Sequence, residues 1–426
     1  MKDTGIEWIG TIPDSWHLDR LQWHLDEIKE FNNPVKTQQV LSLTNKLGVI
    51  PYEEKGEQGN KSKENIDEYK LAYPDTIVAN SMNILIGSVG KCNYFGCVSP
   101  VYYVFKPKNG ENIDFLNYIF QLTQFQKELR KYANGILEIR LRVSSNDILK
   151  RQIAFPSEKE QQRIVTFLDE KTAKIDQLIE IENKQIEKLK EYKQAVITEA
   201  VTKGLDKSAP MKDSGVEWIG KIPKNWGVKK AKFIADSFEK GSGITKEDIV
   251  TDGDTPCVRY GEIYTKYNNG FSNCVTRTNL ENVSTPVYFK FGNILFVGTG
   301  ELVEEIGKNI VYLGTEKCLA GGDIIIMKHN QEARFLNYAM NCIRSQMQKS
   351  YGKAKLKVVH ISAYNIGNIY IALPNKEVQT EIADYLDKKC SEIDTLAKIK
   401  QKKIDMLNEY KKSLIYEYVT GKKEVV

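Results

Sequence analysis

The chain has 426 residues, 41% of them hydrophobic and 27% charged, with a net charge of +5. That length suits two or three domains and that composition a folded soluble protein, which excludes a disordered or fibrous chain. No apolar run approaches the roughly 18–20 residues that span a bilayer, and the mild positive charge permits a polyanionic partner without demanding one.

The first sixteen residues, MKDTGIEWIGTIPDSW, recur from Met211 as MKDSGVEWIGKIPKNW, with eleven positions identical. Asp3 and Glu7 make this start unlike a signal peptide. Trp8, Trp16, Trp218 and Trp226 are common to both copies, so they belong to a shared frame. We expect a hydrophobic clasp in which Pro13 and Pro223 fix the chain path between two buried indoles. Residues 17–155 then mix β-branched runs such as Asp75–Ala79 and Val98–Phe105 with turn signals. A helix of about twenty residues follows, from Phe115-Leu-Asn-Tyr118 to Gly135, where a left-handed cap favours glycine. After Pro156-x4-Gln161, residues 158–202 contain no proline and no internal glycine and are dominated by helix formers.

The second copy repeats this order. Asn293-Ile-Leu-Phe matches Asn83-Ile-Leu-Ile at an offset of 210, Phe335–Tyr338 matches Phe115–Tyr118 at 220, and Pro374-x4-Gln379 matches Pro156-x4-Gln161 at 218. Its own helix of about twenty residues ends near Gly352, and residues 376–420 form the second proline-free helix. Collinear matches of this density mean one unit of about 210 residues, duplicated. Ile164, Leu168, Ile175, Leu178, Ile186, Leu189 and Val196 recur at Ile382, Leu386, Ile393, Leu396, Ile404, Leu407 and Leu414, with the spacing of a coiled-coil seam. An apolar stripe that long needs a partner, and the nearest is the other copy, running antiparallel. The expected fold class is α+β: two similar globular domains joined by a pair of long antiparallel coiled-coil helices, with a pseudo-two-fold internal repeat. The segments are 1–155, 156–205, 206–373 and 374–426, globular and helical in alternation. Two similar surfaces related by a two-fold suit duplex DNA, whose local dyad presents inverted half-sites.

At these residues the chain resembles the specificity subunit of type I restriction–modification systems. Gly5–Trp16 and Gly215–Trp226 carry the doubled Gly-[Ile/Val]-Glu-Trp-Ile-Gly-x-Ile-Pro-x-x-Trp, and Pro156–Gln161 and Leu373–Gln379 carry the second signature. Val378 stands where the family usually shows glutamate, a departure that weakens one helix start. The resemblance implies two target-recognition domains, each reading half of a split site on double-stranded DNA. It also implies helices that dock two modification (methyltransferase) subunits, with restriction (translocase and nuclease) subunits completing the complex. The methyl donor and ATP would be held by those partners, with no cofactor in this chain.

The residues themselves suggest no catalysis. Ile294-Leu-Phe-Val-Gly-Thr-Gly300 has the look of a methyl-donor turn, but no [Asn/Asp]-Pro-Pro-[Phe/Tyr] tetrapeptide follows and Ile84–Gly90 stands at the expected equivalent place, so it reads as a strand-to-loop turn. There is no GxxxxGK[ST] phosphate loop. His24 and His360 read as packing or surface residues, and no HExxH spacing suggests a metal. Seven scattered cysteines without a CxxC pair fit a reducing, cytoplasmic compartment.

DNA reading is expected where the copies differ. Thr44, Asn45 and Lys46, then Lys91, Asn93 and Tyr94, lie in mixed polar and aromatic loops of the first copy, as Arg259, Tyr260 and Tyr264 do in the second. Arg140 and Arg142 alternate on an extended segment, and Lys353, Lys355 and Lys357 do so near the equivalent place. Arg, Asn and Lys have the donors that read purine edges. Residues 17–155 carry 18 basic against 16 acidic residues, and 227–373 carry 18 against 14. Domains so weakly basic bind DNA poorly alone, which favours partners that add phosphate contacts over a coiled-coil scaffold or a DNA-binding protein acting by itself.

Overall fold

The structure, a computed structural model, describes residues 1–44, 48–56, 65–108, 110–135, 141–300, 302–352 and 359–425. It divides into two compact units: Met1–Asn183 with Lys402–Val426, and Lys184–Gln401. The expected long helices run over Glu158–Lys203 and Lys376–Val419. Each therefore contributes one half to each unit.

In the first unit Asp176 accepts from Lys411 at 2.7 Å and Glu182 from Lys403 at 2.6 Å. In the second, Lys193 donates to Asp394 at 2.7 Å and Lys400 to Gln185. Rising numbers on one helix meet falling numbers on the other, so the helices pair antiparallel in both units. Lys411–Asp176 and Lys193–Asp394 are the same pair in the two repeats, at the offset of 218. The seam departs from expectation at one matched place. Ile164, Leu168, Ile175, Ile382, Leu386 and Ile393 are buried, whereas Leu178 and Leu396 are exposed. From Leu168 the buried line runs through Thr172, Ile175 and Glu182, a seven-residue step that puts a carboxylate where an apolar-only reading moves to Leu178.

The first unit centres on a four-stranded antiparallel sheet ordered Leu25–Ile28, Tyr102–Pro107, Thr76–Asn80, Val89–Cys92. In the second the corresponding order is Ala235–Lys240, Ile324–His329, Ile294–Val297, Asn309–Tyr312, with Gly270–Phe271 added in parallel. The register corrects one repeat match. Phe105 pairs with Ile77, and Met327 with Ile294, so strand Thr76–Asn80 is the partner of Ile294–Val297. The segment Ile84–Ile86, matched to it by sequence at 210, is a 3-10 turn. Four similar letters in a diverged region concealed an offset of 217. The middles differ most outside this sheet. The first unit has two short ladders, Leu41–Thr44 with Gly48–Pro51 and Lys70–Ala72 with Gly96–Val98, whereas the second has a four-stranded sheet containing Thr255–Val258 and Cys318–Ala320.

Each expected twenty-residue helix is broken in two. Ile113–Gln121 and Thr123–Arg130 are separated by Leu122 at ψ 124°, and Ala333–Asn341 and Ile343–Ser350 by Cys342 at ψ 159°. The carbonyls freed at each break are taken by a side chain from the next helix. Gln126 donates to Phe120 and Gln121, and Ser345 donates to Ala339 at 2.6 Å.

The clasp forms in each unit around one buried indole, not the expected two. Trp16 and Trp226 are buried, while Trp8 and Trp218 are half-buried, leaning on Phe125 at 5.5 Å and Tyr351 at 5.3 Å. Each buried indole closes on the end of the other repeat's helix. Gly421 (φ +69°) lies against Pro13 and Trp16, and Gly204 (φ +76°) against Trp226 and Pro223, where a Cβ would stand 2.5 Å from Pro13 and 3.2 Å from the Trp226 ring. Glycine thus both caps the helix and admits the clasp. The Pro-x4-Gln signature also has a local cause. Gln161 and Gln379 are buried and donate back to the carbonyls of Pro156 (3.3 Å) and Pro374 (2.9 Å), fixing the strand-to-helix corner. Val378 does not weaken its helix start, because the Asn375 side chain caps the Val378 amide at 3.0 Å. What changes is the indole's partner: Trp16 donates to Glu160 at 3.0 Å, whereas Val378, at the equivalent position, packs into the apolar cluster that holds Trp226.

Candidate nucleic-acid interface

In the first unit the hairpin Leu41–Thr44/Gly48–Pro51 brings Thr44 to its tip, where the hydroxyl donates to Gly48 at 3.2 Å. Asn45 and Lys46 lie outside the described residues. Lys91 is engaged with the protein itself, 3.0 Å from Asp114 and 3.3 Å from Asp75. Burial alone would lower its pKa, and the two carboxylates together turn the shift upward, so the charge is held as an internal tie. Asn93 is exposed in the turn after strand Val89–Cys92, and Tyr94 packs half-buried against the small cluster of Leu41, Leu43 and Val49. Arg142 is exposed. Its backbone exchanges both hydrogen bonds with Asn134, and its guanidinium approaches the Met82 sulfur at 3.6 Å. Arg140 lies outside the described residues.

In the second unit Arg259 precedes the short helix Tyr260–Thr265. Tyr260 is 45% exposed. Tyr264 is turned inward, its hydroxyl 3.4 Å from the carbonyls of Thr299 and Glu305, with the Lys308 ammonium over its ring. Lys353, Lys355 and Lys357 lie outside the described residues, between Gly352 (φ +70°) and the strand Val359–His360. That strand pairs with Thr299–Gly300, confirming the glycine turn after Ile294–Val297 as part of the fold's frame. Val143 donates to Ser81 as Ile361 does to Gly298, so His360 is the second unit's counterpart of Arg142, and both are exposed.

Two glycine-rich segments, Gly241–Gly243 and Gly321–Gly322, converge on Arg259. A Cβ on Gly241 would fall 2.1 Å from the Gly321 carbonyl, and one on Gly321 would fall 3.3 Å from the Arg259 Cα. These approaches leave an open hollow of about 520 Å³ whose walls include Arg259, Lys240 and Asp323. Sequence reasoning found Arg259 and missed Lys240 and Asp323. Their signal was the adjoining Gly241-Ser-Gly243 and Gly321-Gly322, where backbones touch without side chains between them.

Among the described residues no group of His, Cys, Asp and Glu has metal-binding geometry, and no helix is long and apolar enough to cross a membrane.

A duplicated α+β unit with an antiparallel helix pair and loop-borne polar residues defines a two-part recognition protein. Residues 22–191 and 223–421 match the type I restriction modification DNA specificity domain, and the chain belongs to that family. It is 24% identical over 448 residues to a Methanocaldococcus jannaschii protein named as the specificity subunit of the type I restriction enzyme MjaX, covering 97% of this chain and 95% of that one. The MjaVIII specificity subunit of the same organism is 24% identical over 329 residues, covering 72% and 69%. Two solved structures share the fold. One, reported in work on complex assembly and conformational transition of the type I R-M system, has a TM-score of 0.71 at 12% identity, covering 96% of this chain and 98% of that one. The other, the HsdS subunit from Thermoanaerobacter tengcongensis, has a TM-score of 0.52 at 14% identity, covering 99% and 100%.

Proposed function

We propose that this chain is the DNA-specificity subunit of a type I restriction–modification complex, a non-catalytic cytoplasmic protein that reads a bipartite site with one globular region per half. The observation that carries the reading is the duplication itself, with both copies matching the specificity domain. Their four central antiparallel strands follow the same order while their outer regions differ, which is what two half-sites of different sequence require. The loop residues named from the sequence are the candidate DNA contacts, above all the exposed Asn93, Arg142 and Tyr260.

Catalysis belongs to partners in this reading. Methyl transfer and ATP-driven cleavage are assigned to modification and restriction subunits, and this chain holds neither the methyl donor nor ATP. Two modification subunits dock on the helix pairs. Support comes from a matched set of exposed apolar residues: Leu178 and Leu396, Ile181 and Ile399, Tyr192 and Tyr410, each exposed by 43–57% and each pair 218 residues apart. A repeated apolar strip suits a partner present twice.

Exchanging residues 227–373 for the corresponding part of a relative tests the reading. Sequencing of methylated sites is expected to show one half of the site replaced and the other unchanged. Simultaneous change of both halves would overturn it.

A further inference from the structure

The hollow at Arg259 combines chemistry that a phosphate site and a base-reading site do not share. Glu262, 5% exposed, pins the arginine from behind. Its carboxylate accepts from the Arg259 amide and the Thr276 hydroxyl, both at 2.9 Å, and stands 3.5 Å from the guanidinium. The Arg259 Nε is buried with no acceptor among the described residues, so the protein uses only part of a fork of five donors. Asp323, an exposed carboxylate, lines the same hollow. A phosphate would meet repulsion there. The major-groove edge of a G·C pair would not, because guanine offers two acceptors, O6 and N7, to a bidentate arginine, and cytosine offers its N4 amino group to a carboxylate. The glycines lining the hollow remove the side chains that would keep a base edge away from the backbone. Lys240, exposed at its edge and without an ion pair among the described residues, is placed for the adjoining phosphate.

The geometry points to one G·C pair of the second half-site being read here, guanine by Arg259 and cytosine by Asp323. This rests on the proposed specificity function and assigns a base to it. The test uses the full chain in complex with its modification subunits and reads the methylated motif by whole-genome methylation sequencing. Wild-type chain is expected to give a split motif with a fixed G·C pair in the half that moves with residues 227–373. Arg259→Ala, and Arg259→Lys, which keeps charge but loses the fork, should each relax that one pair by roughly 10- to 100-fold, the range of a bidentate contact, with the other half-site intact. Asp323→Asn should relax the same pair, and Lys240→Ala should lower methylation evenly over all sites without changing the motif. Even weakening by the Arg259 variants with the motif unchanged would make the site a phosphate contact and overturn the assignment, as would a second half-site lacking a fixed G·C pair. In both cases the split motif would still stand. Absence of any split motif from the wild-type complex would overturn the specificity reading itself.

Discussion

The two units solve one packing problem in opposite ways. In the first, Leu129 of the second short helix and Val89 of the sheet are apolar members of the main core. In the second, the same helix and strand positions, 220 residues on, hold Lys349 and Asn309, 2% and 1% exposed. The Lys349 ammonium donates to Gly307 at 2.7 Å and Asn309 at 2.9 Å and lies over the Phe296 ring, while Asn309 donates to Asn337 at 2.8 Å. The counterpart of Asn337 in the first unit, Asn117, has an amide oxygen buried without a partner among the described residues. Likewise Gln379 accepts from Glu332 at 3.1 Å, whereas the Gln161 oxygen has no such donor. One frame therefore tolerates an apolar or a hydrogen-bonded polar filling, provided the polar one arrives as a set.

Breaking that comparison gives the largest expected effect. Leu129→Lys places an ammonium in a fully buried apolar cluster, and should cost about 3–5 kcal/mol, seen as early loss of the first unit in urea. Adding Val89→Asn should restore part of it, because asparagine supplies an acceptor; no recovery would mean that the two units' cores are not interchangeable at this place.

The second prediction concerns pH. Burial pushes the Lys349 pKa from 10.5 down to about 7. Between those values the unfolded chain binds a proton that the folded chain does not, so stability should rise with pH from about 7 to about 10.5, by at most about 1.4 kcal/mol per pH unit. Below 7 both states are protonated and the contribution is flat. Subtracting the profile of Lys349→Met from that of the wild type isolates the slope, and parallel profiles would refute the assignment.

Smaller effects follow from the clasp and the helix pairs. Glu160→Ala removes the acceptor of the Trp16 indole and should cost about 1 kcal/mol, while Val378→Glu should make Trp226 resemble Trp16 with little change in midpoint. Lys193→Ala and Lys411→Ala break equivalent, partly exposed ion pairs and should each cost about 0.2–1 kcal/mol. Unequal losses in thermal unfolding would show that the helix pairs of the two units are not alike.

The sequence by itself determined the duplication, the α+β units, and the two long helices with their antiparallel pairing. These rest on periodicity and repetition, which local chemistry imposes: an unbroken run of helix formers has one outcome, and an apolar stripe needs a partner. The Trp and Pro-x4-Gln motifs were legible as frame for the same reason. Tertiary structure decided what contacts decide. It split the short helices at Leu122 and Cys342, because side chains elsewhere could take the freed carbonyls. It put Glu182 in the seam and Leu178 outside it, because Lys403 lies opposite. It moved the repeat match from Ile84–Ile86 to Thr76–Asn80, because register is set by strand neighbours and not by similar letters. It turned Lys91 and Tyr264 toward the protein while leaving Arg259 in an open hollow with Asp323, since two glycine-rich segments distant in sequence meet beside Arg259 only in the folded chain.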